Sequence, residues 1–338
     1  SYRRDLRREV DLIEEVVRLY GVQRIGGSDR SRFTPSSRAD VEHDHESALR
    51  STLAARGLHE TRTSKLIPRT AALFSESAIQ LKNPLSEEHV ALRPNLVAGL
   101  LDVLARNIRA GAERVAIFEI GRVFLLPNGR EERHIGILLW GKTTSDIHWR
   151  THEKRRLDFF DLKGAITSVL PDGNVAFRRI SHNYLALATE VLVDERVIGF
   201  AGQLSAAVSA KVDAPGAVFV AEISATAPRE NNSSPKYSEF AKFPAVTRDI
   251  AMIVPETVTH QNVYAEMLSE PEPLLESVRL FDVFSGKDAQ HLGPERKSLA
   301  YTLTYRDKSR TLTSDEVNAA HSRIRERLRT KLGAELRE

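Results

Sequence analysis

The sequence predicts an α+β protein, and its last hundred residues predict their own topology. Three observations carry this. Ile250, Met252 and Val254 alternate as in a half-buried strand, and residues 275–284 and 297–305 repeat that alternation. A short helical segment, 260–269, separates the first strand from the second. A second helix opens at Thr313, with Glu316 three residues on in a capping-box pattern. After Gly333 there is room for one more short strand. The order βαββαβ is the ferredoxin-like split βαβ, with both helices on one face of an antiparallel sheet and the other face open.

Side-chain alternation predicts which residues line that open face. On the second strand Phe281 and Val283 share one side and Asp282 and Phe284 the other. The purely apolar side is expected under the helices. The other pairs a carboxylate with an aromatic ring. On the next strand Ser298, Ala300, Thr302 and Thr304 form a small, largely polar set opposite Leu299, Tyr301, Leu303 and Tyr305. An exposed ring beside small hydrogen-bonding groups suits the stacking of unpaired bases. Spacing alone favours the plainer reading of Phe284 as a core or dimer contact.

At 338 residues the chain is long enough for two or three domains. A charged fraction of 28% beside a hydrophobic 41% is that of an ordinary soluble protein, and a net charge of +3 permits a nucleic-acid partner without requiring one. Zero cysteines exclude disulfides and thiolate metal sites. No apolar run approaches the roughly 20 residues of a membrane helix, and no signal peptide is visible, so a cytoplasmic location and no membrane partner are expected. The chain opens at Ser1 in a charged segment, which reads as a piece of a longer polypeptide.

Two polar stretches, 26–38 and 226–235, read as linkers. They bound a head (1–25), a middle domain (39–225) and the C-terminal module (236–338). The head reads as a helix with an apolar stripe through Leu12, Val16 and Leu19, stopped at Gly21. Asp11, Glu14 and Glu15 crowd one of its faces, and Asp5 precedes them. Hard oxygen ligands gathered this way suit Mg²⁺; the alternative is a solvated acidic face balanced by neighbouring arginines. In the middle domain, 44–56, 96–108 and 159–169 read as helices, and 115–120, 135–140 and 189–193 as strands. Gly199 and Gly202 read as a turn rather than a phosphate loop. His43 and His45 point apart on a helix and lack a third ligand. Arg323, Arg325, Arg327, Arg329 and Lys331 form a basic stretch, either a solvated face or a phosphate contact.

Pro244, Val246, Arg248-Asp249, Phe281-Asp282, Gly286, Lys297-Ser298-Leu299-Ala300 and Thr311-Leu312-Thr313 resemble the ferredoxin-fold anticodon-binding domain that ends the β subunit of bacterial phenylalanyl-tRNA synthetases. The middle domain resembles the same subunit through Asn83-Pro84-Leu85-Ser86, Leu92-Arg93, Phe118-Glu119-Ile120-Gly121 and 158–164, and the head through Asp-Leu-Ile-Glu-Glu-Val followed by Arg-Leu-Tyr-Gly. The resemblance covers nearly the whole chain in order. It implies the C-terminal part of such a subunit: the tail of a B5-type domain, a class II synthetase-like antiparallel-sheet domain without catalysis, and the anticodon-binding module.

The resemblance also implies roles. Asp282, Phe284 and Ser298 would lie at the anticodon of tRNA(Phe), with Phe284 standing where the family usually has Tyr. Asp5, Asp11, Glu14 and Glu15 would bind Mg²⁺ at the junction with the α subunit of an α₂β₂ tetramer that charges tRNA with phenylalanine using ATP. Catalysis would belong to the α subunit, leaving this chain scaffold, subunit interface and anticodon contact. A class II adenylation site needs a late Gly-rich segment ending in Glu-Arg, and residues 199–205 contain no such pair. The chain also departs from the family at 181–187 and 203–206. The alternative from another class is a free-standing RNA-binding or regulatory protein that reuses the ferredoxin-like module.

Overall fold

A computed structural model describes residues 3, 5–27, 38–68, 78–127, 129–143, 155–170, 175–225, 239–285, 292–293 and 295–337. Most of both predicted linkers, and Gly286, lie outside these residues. The chain divides into two compact units, Ser1–Asn232 and Ser233–Glu338.

The first unit is built on a seven-stranded sheet. Its helices are α1 (Glu9–Tyr20), α2 (Arg38–Ala55), α3 (Val97–Arg109), α4 (Phe159–Val169) and α5 (Ala206–Lys211). Its strands are β1 (His59–Glu60), β2 (Leu66–Ile67), β3 (Ile79–Gln80), β4 (Ala91–Leu92), β5 (Arg114–Leu125), β6 (Arg130–Gly141), β7 (Val175–His182), β8 (Leu185–Val193), β9 (Arg196–Leu204) and β10 (Val218–Ser224). The order in the large sheet is β1-β5-β6-β10-β9-β8-β7. Only the β1–β5 pair is parallel. Strands β2, β4 and β3 form a small separate sheet.

Both faces of the large sheet are covered. Leu49 and Leu53 of α2 and Leu162 and Ile166 of α4 pack with Phe118, Ile120, Ile137 and Leu139. Leu100, Leu101 and Leu104 of α3 pack with Ile117, Leu138 and Trp140 on the other side. Two-sided burial explains why 135–140 and 218–223 read as unbroken buried runs rather than alternating ones. The predicted strands 115–120 and 135–140 are the cores of a longer hairpin, paired from Arg114↔Gly141 to Leu125↔Arg130.

Helix α1 differs from the rest. It buries none of its residues, and Leu12, Ile13, Val16 and Leu19 of its apolar stripe are exposed.

The second unit has the predicted order: β11 (Val246–Pro255), α6 (His260–Leu268), β12 (Leu275–Phe284), β13 (Arg296–Tyr305), α7 (Ser314–Leu332) and β14 (Glu335–Arg337). The sheet runs β12-β13-β11-β14 and is antiparallel throughout. Thr259 with Asn262, and Thr313 with Glu316, cap the two helices reciprocally, and Gly333 ends α7 in the left-handed conformation. The helices pack Val263, Met267, Val317, Ala320, Ile324 and Leu328 on Ile250, Met252, Val254, Leu299, Tyr301, Leu303 and Tyr305. Among the described residues the opposite face carries no helix of this unit.

Candidate nucleic-acid interface

Strand β13 is internal to the sheet and its burial alternates from Leu299 on, so its odd positions from Leu299 to Tyr305 face the core and its even positions face the open side. Residues directly opposite in an antiparallel pair share a face. Leu280 lies opposite Tyr301 and Val278 opposite Leu303, hence on the helix side. Arg279 lies opposite Thr302, on the open side. Past Leu280 the register slips by one, and Asp282 then lies opposite Ala300 and Phe284 opposite Ser298. Phe281 is the extra residue of a β-bulge.

The bulge decides the site. A regular strand that placed Arg279 on the open face would place Phe281 and Val283 there as well. The extra residue reverses the parity and turns Asp282 and Phe284 outward beside Arg279. It also corrects one expectation. Phe281 is not packed under the helices: it is 51% exposed, close to the 45% of Phe284. Val283 takes the core-side position opposite Leu299, yet near the strand's end it too is about half exposed.

Ser298 is the least accessible of the three predicted contacts. It lies on the central strand between Ile253 and Phe284 and is 5% exposed. Further along the same face, past Ala300, Thr302 donates its hydroxyl to Asp249 at 2.7 Å. The outer strand β14 places Arg337 opposite Ala251. A stacking ring, carboxylate acceptors and cationic arginines thus occupy one face.

Two of the basic residues on α7 are committed inside the unit. Arg323 forms a two-nitrogen pair with Glu272 at 2.9 and 3.0 Å, and Arg327 donates to the carbonyls of Glu266 and Met267 and pairs with Glu270 at 3.2 Å. Arg325, Arg329 and Lys331 are the remaining cations of that stretch. Under the sheet, Tyr301 shares a hydrogen bond with His260 (2.9 Å) and Tyr305 with His321 (3.1 Å). Burial, then the nearby Arg325 and Arg248, hold His321 below the ordinary histidine value.

The four head carboxylates do not gather as one set; two of them meet on an arginine instead. Arg3 bridges Asp5 (2.8 Å) and Glu15 (2.7 Å), and Glu15 also meets Arg18. These partners keep both carboxyls below their ordinary range. Asp11 accepts the backbone N–H groups of Arg7 and Arg8 and so caps its own helix. Glu14 is exposed on α1. Among the described residues no three His, Cys, Asp or Glu side chains gather as a metal site.

The middle domain holds a polar network that periodicity did not reveal. Arg93 pairs with Glu119 at 2.8 Å, both side chains being 3% exposed. Arg93 also donates to the Arg122 carbonyl and to the Thr63 hydroxyl, which itself donates to Glu119. Glu222 accepts the N–H of Leu96 at 2.7 Å and meets His134 at 2.7 Å. Burial opposes the charged form of His134, but Glu222 and then Glu132 outweigh it, and the net shift is upward. These groups satisfy one another inside the sheet and are structural. His45 meets the Ala225 carbonyl at 3.1 Å. The segment with Gly199 and Gly202 is strand β9, not a turn. Gly202 pairs with Ala188 next to a bulge in β8, where a Cβ would run into the backbone oxygen of Leu187; Gly199 follows the extra residue Ile198 of a bulge in β9 itself, and its Cβ would run into the backbone oxygen of Glu222 on β10. Residues 181–187 form the β7–β8 hairpin, closed at His182↔Leu185.

The architecture and this face can be set beside known proteins. Residues 32–225 match the model of the phenylalanyl tRNA synthetase beta chain CLM domain, and residues 241–337 that of the ferredoxin-fold anticodon binding domain. The chain is 32% identical to the phenylalanine–tRNA ligase beta subunit of Syntrophus aciditrophicus and 35% identical to that of Moorella thermoacetica. Each alignment covers 100% of this chain and 44% of the relative, so the chain spans under half the length of the curated relatives it matches. A free-standing RNA-binding or regulatory protein would not align with β subunits over its whole length. The chain belongs to the phenylalanyl-tRNA synthetase β-chain family.

Proposed function

We propose that this chain supplies the anticodon contact and a non-catalytic scaffold of a phenylalanine–tRNA ligase, working with an α subunit to charge tRNA(Phe). The observation that carries the reading is the bulge at Phe281, which brings Asp282 and Phe284 onto the helix-free face across from Ala300 and Ser298. A base stacks on the Phe284 ring while the Asp282 carboxylate accepts from the polar edge of an unpaired base. Ser298, largely covered, acts at the rim of that contact. Arg279 and Arg337 on the same face supply charge toward the phosphate backbone.

The domain division follows the same reading: head to residue 25, linker 26–38, class II-like core 39–225, linker 226–235, anticodon module 236–338. We assign no adenylation step to this chain, because 199–205 lacks the Glu-Arg pair and forms a strand paired on both edges. The family would give Asp5, Asp11, Glu14 and Glu15 to Mg²⁺. As they stand they do not fit a cation, since Arg3 holds two of them and Asp11 is spent on the helix cap. A cytoplasmic location accords with the absence, among the described residues, of any helix long and apolar enough to cross a membrane.

The test is photo-crosslinking with tRNA(Phe) carrying 4-thiouridine in the anticodon loop, mapped by mass spectrometry on the complex with the α subunit. Crosslinks are expected in peptides from 275–284 and 296–305. Crosslinks confined to the α-subunit or to residues before 232 would sink the reading.

A further inference from the structure

The face of the large sheet that carries α2 and α4 holds a half-open cleft of about 370 Å³. Its lining combines apolar and aromatic side chains, Leu58, Leu157 and Phe160 among them, with the cationic Arg56 and Arg114. That volume lies in the range of small-molecule sites, which pair an apolar lining with a few converging polar groups.

The charges in this cleft are not internally balanced. Asp161 also lines it, but Arg155 grips both of its carboxylate oxygens at 2.6 Å and neutralises it. Arg155 thereby leaves Arg56 and Arg114 as the net charge of the lining. Neither forms an ion pair with any described carboxylate. Arg114 gives one terminal N–H to the Gly57 carbonyl at 3.1 Å, and its Nε is buried with no hydrogen-bond partner. It is the one such side-chain atom among the described residues. A buried guanidinium N–H left without an acceptor is costly, and buried donors in folded proteins are nearly always satisfied. Phe160, by contrast, is an aromatic ring at the second position of α4 that is 75% exposed. An unpaired cation and an uncovered ring on one concave surface have complementary demands.

We propose that this cleft binds a small organic anion, a carboxylate or phosphate group carried on an apolar or aromatic body. The anionic oxygens accept from Arg114 and Arg56, in the charge-assisted geometry guanidinium groups favour. The body lies against Phe160, Leu157 and Leu58. The site is built from residues of the first unit and does not depend on the anticodon reading.

The experiment titrates the 338-residue chain with phenyl phosphate and with benzoate, and with inorganic phosphate as the charge-only control. Binding is read by calorimetry and by the arginine Nε–H region of a ¹⁵N spectrum, where Arg114→Lys identifies the Arg114 resonance. One of the two organic anions is expected to saturate a single site below about 1 mM and to shift that resonance; which one distinguishes carboxylate from phosphate recognition. Inorganic phosphate is expected to bind at least about tenfold more weakly, having no body to place on the ring. Arg56→Gln and Phe160→Ala, both exposed positions, should each weaken binding by at least about fivefold with unchanged melting temperature. The proposal is overturned if neither organic anion gives a saturable shift up to about 10 mM. It is equally overturned if both variants bind as the parent does, or if inorganic phosphate binds as tightly as phenyl phosphate.

Discussion

Replacing Phe284 and Phe281 separately by alanine distinguishes a stacking ring from a packed one. Both rings are about half exposed, at 45% and 51%. Full burial of a phenylalanine is worth roughly 1.5–3 kcal/mol, so each truncation should cost about 1 kcal/mol of stability. Tyr301 is fully buried and hydrogen-bonded to His260, and Tyr301→Ala should cost about 3–5 kcal/mol, which sets the scale of a true core loss. Stability therefore cannot separate the two phenylalanines, but RNA binding can. Base stacking on an aromatic is worth about 1–3 kcal/mol by alanine substitution, or about 5- to 150-fold in affinity. Phe284→Ala should show that loss, Phe284→Tyr should bind as the parent does, and Phe281→Ala should bind within about twofold. Deleting Phe281 altogether should also spare binding, because it straightens the strand while leaving Asp282 opposite Ala300 and Phe284 opposite Ser298. The assay is fluorescence anisotropy with labelled tRNA(Phe) on the αβ complex, paired with chemical denaturation of each variant. The reasoning fails if Phe284→Ala leaves RNA affinity intact, or if Phe281→Ala lowers it as much.

Other outcomes follow from the buried groups. Glu119→Ala should cost about 3–5 kcal/mol in urea unfolding because it strands Arg93, whereas the double change Arg93→Met with Glu119→Leu should recover most of that loss. His134 and His321 should titrate on opposite sides of the ordinary 6.5, as followed by their ring C–H resonances. The raised His134 contributes stability that is full below 6.5 and is lost as pH rises through its folded value. The depressed His321 contributes stability that is full above 6.5 and is lost as pH falls through its folded value. Gly202→Ala should destabilise the fold by about 1–3 kcal/mol, read in urea unfolding, since its Cβ meets a backbone oxygen. Gly164→Ala, whose Cβ would find only Arg56 at 3.9 Å, should be nearly neutral.

The second unit was largely legible because its strands are buried on one face and its helices begin at side-chain caps. Strand 275–284 and the Thr313 cap stand where alternation and the capping box put them. The bulge was not legible: Phe281-Asp282-Val283-Phe284 alternates regularly in sequence, and an extra residue shows only against the partner strand. Alternation puts Asp282 and Phe284 on the face where the paired register also has them, but it puts Phe281 in the core, and that ring is 51% exposed. Glu119 and Glu222 were missed because each stands within an apolar run, and their partners Arg93, Leu96 and His134 lie 26, 126 and 88 residues away. The strand position of Gly199 and Gly202 was hidden for a related reason. A glycine demanded by a neighbour's backbone looks the same in sequence as one demanded by a turn.

Among the described residues the bulged strand β12 is also the edge of its sheet, with β13 on one side and no strand of this unit on the other. An edge strand ending in Phe-Asp-Val-Phe, with three half-exposed apolar side chains, is the kind of template on which a second chain could extend the ladder. Its two register slips, after Leu275 and after Leu280, break the even spacing of outward-facing N–H and C=O groups that such pairing needs. The irregularity that aims Phe284 at a ligand would therefore also keep neighbouring copies apart. A variant that straightens β12 should bind RNA and yet aggregate faster on storage, which sets a selective reason to retain Phe281 apart from any contact it makes.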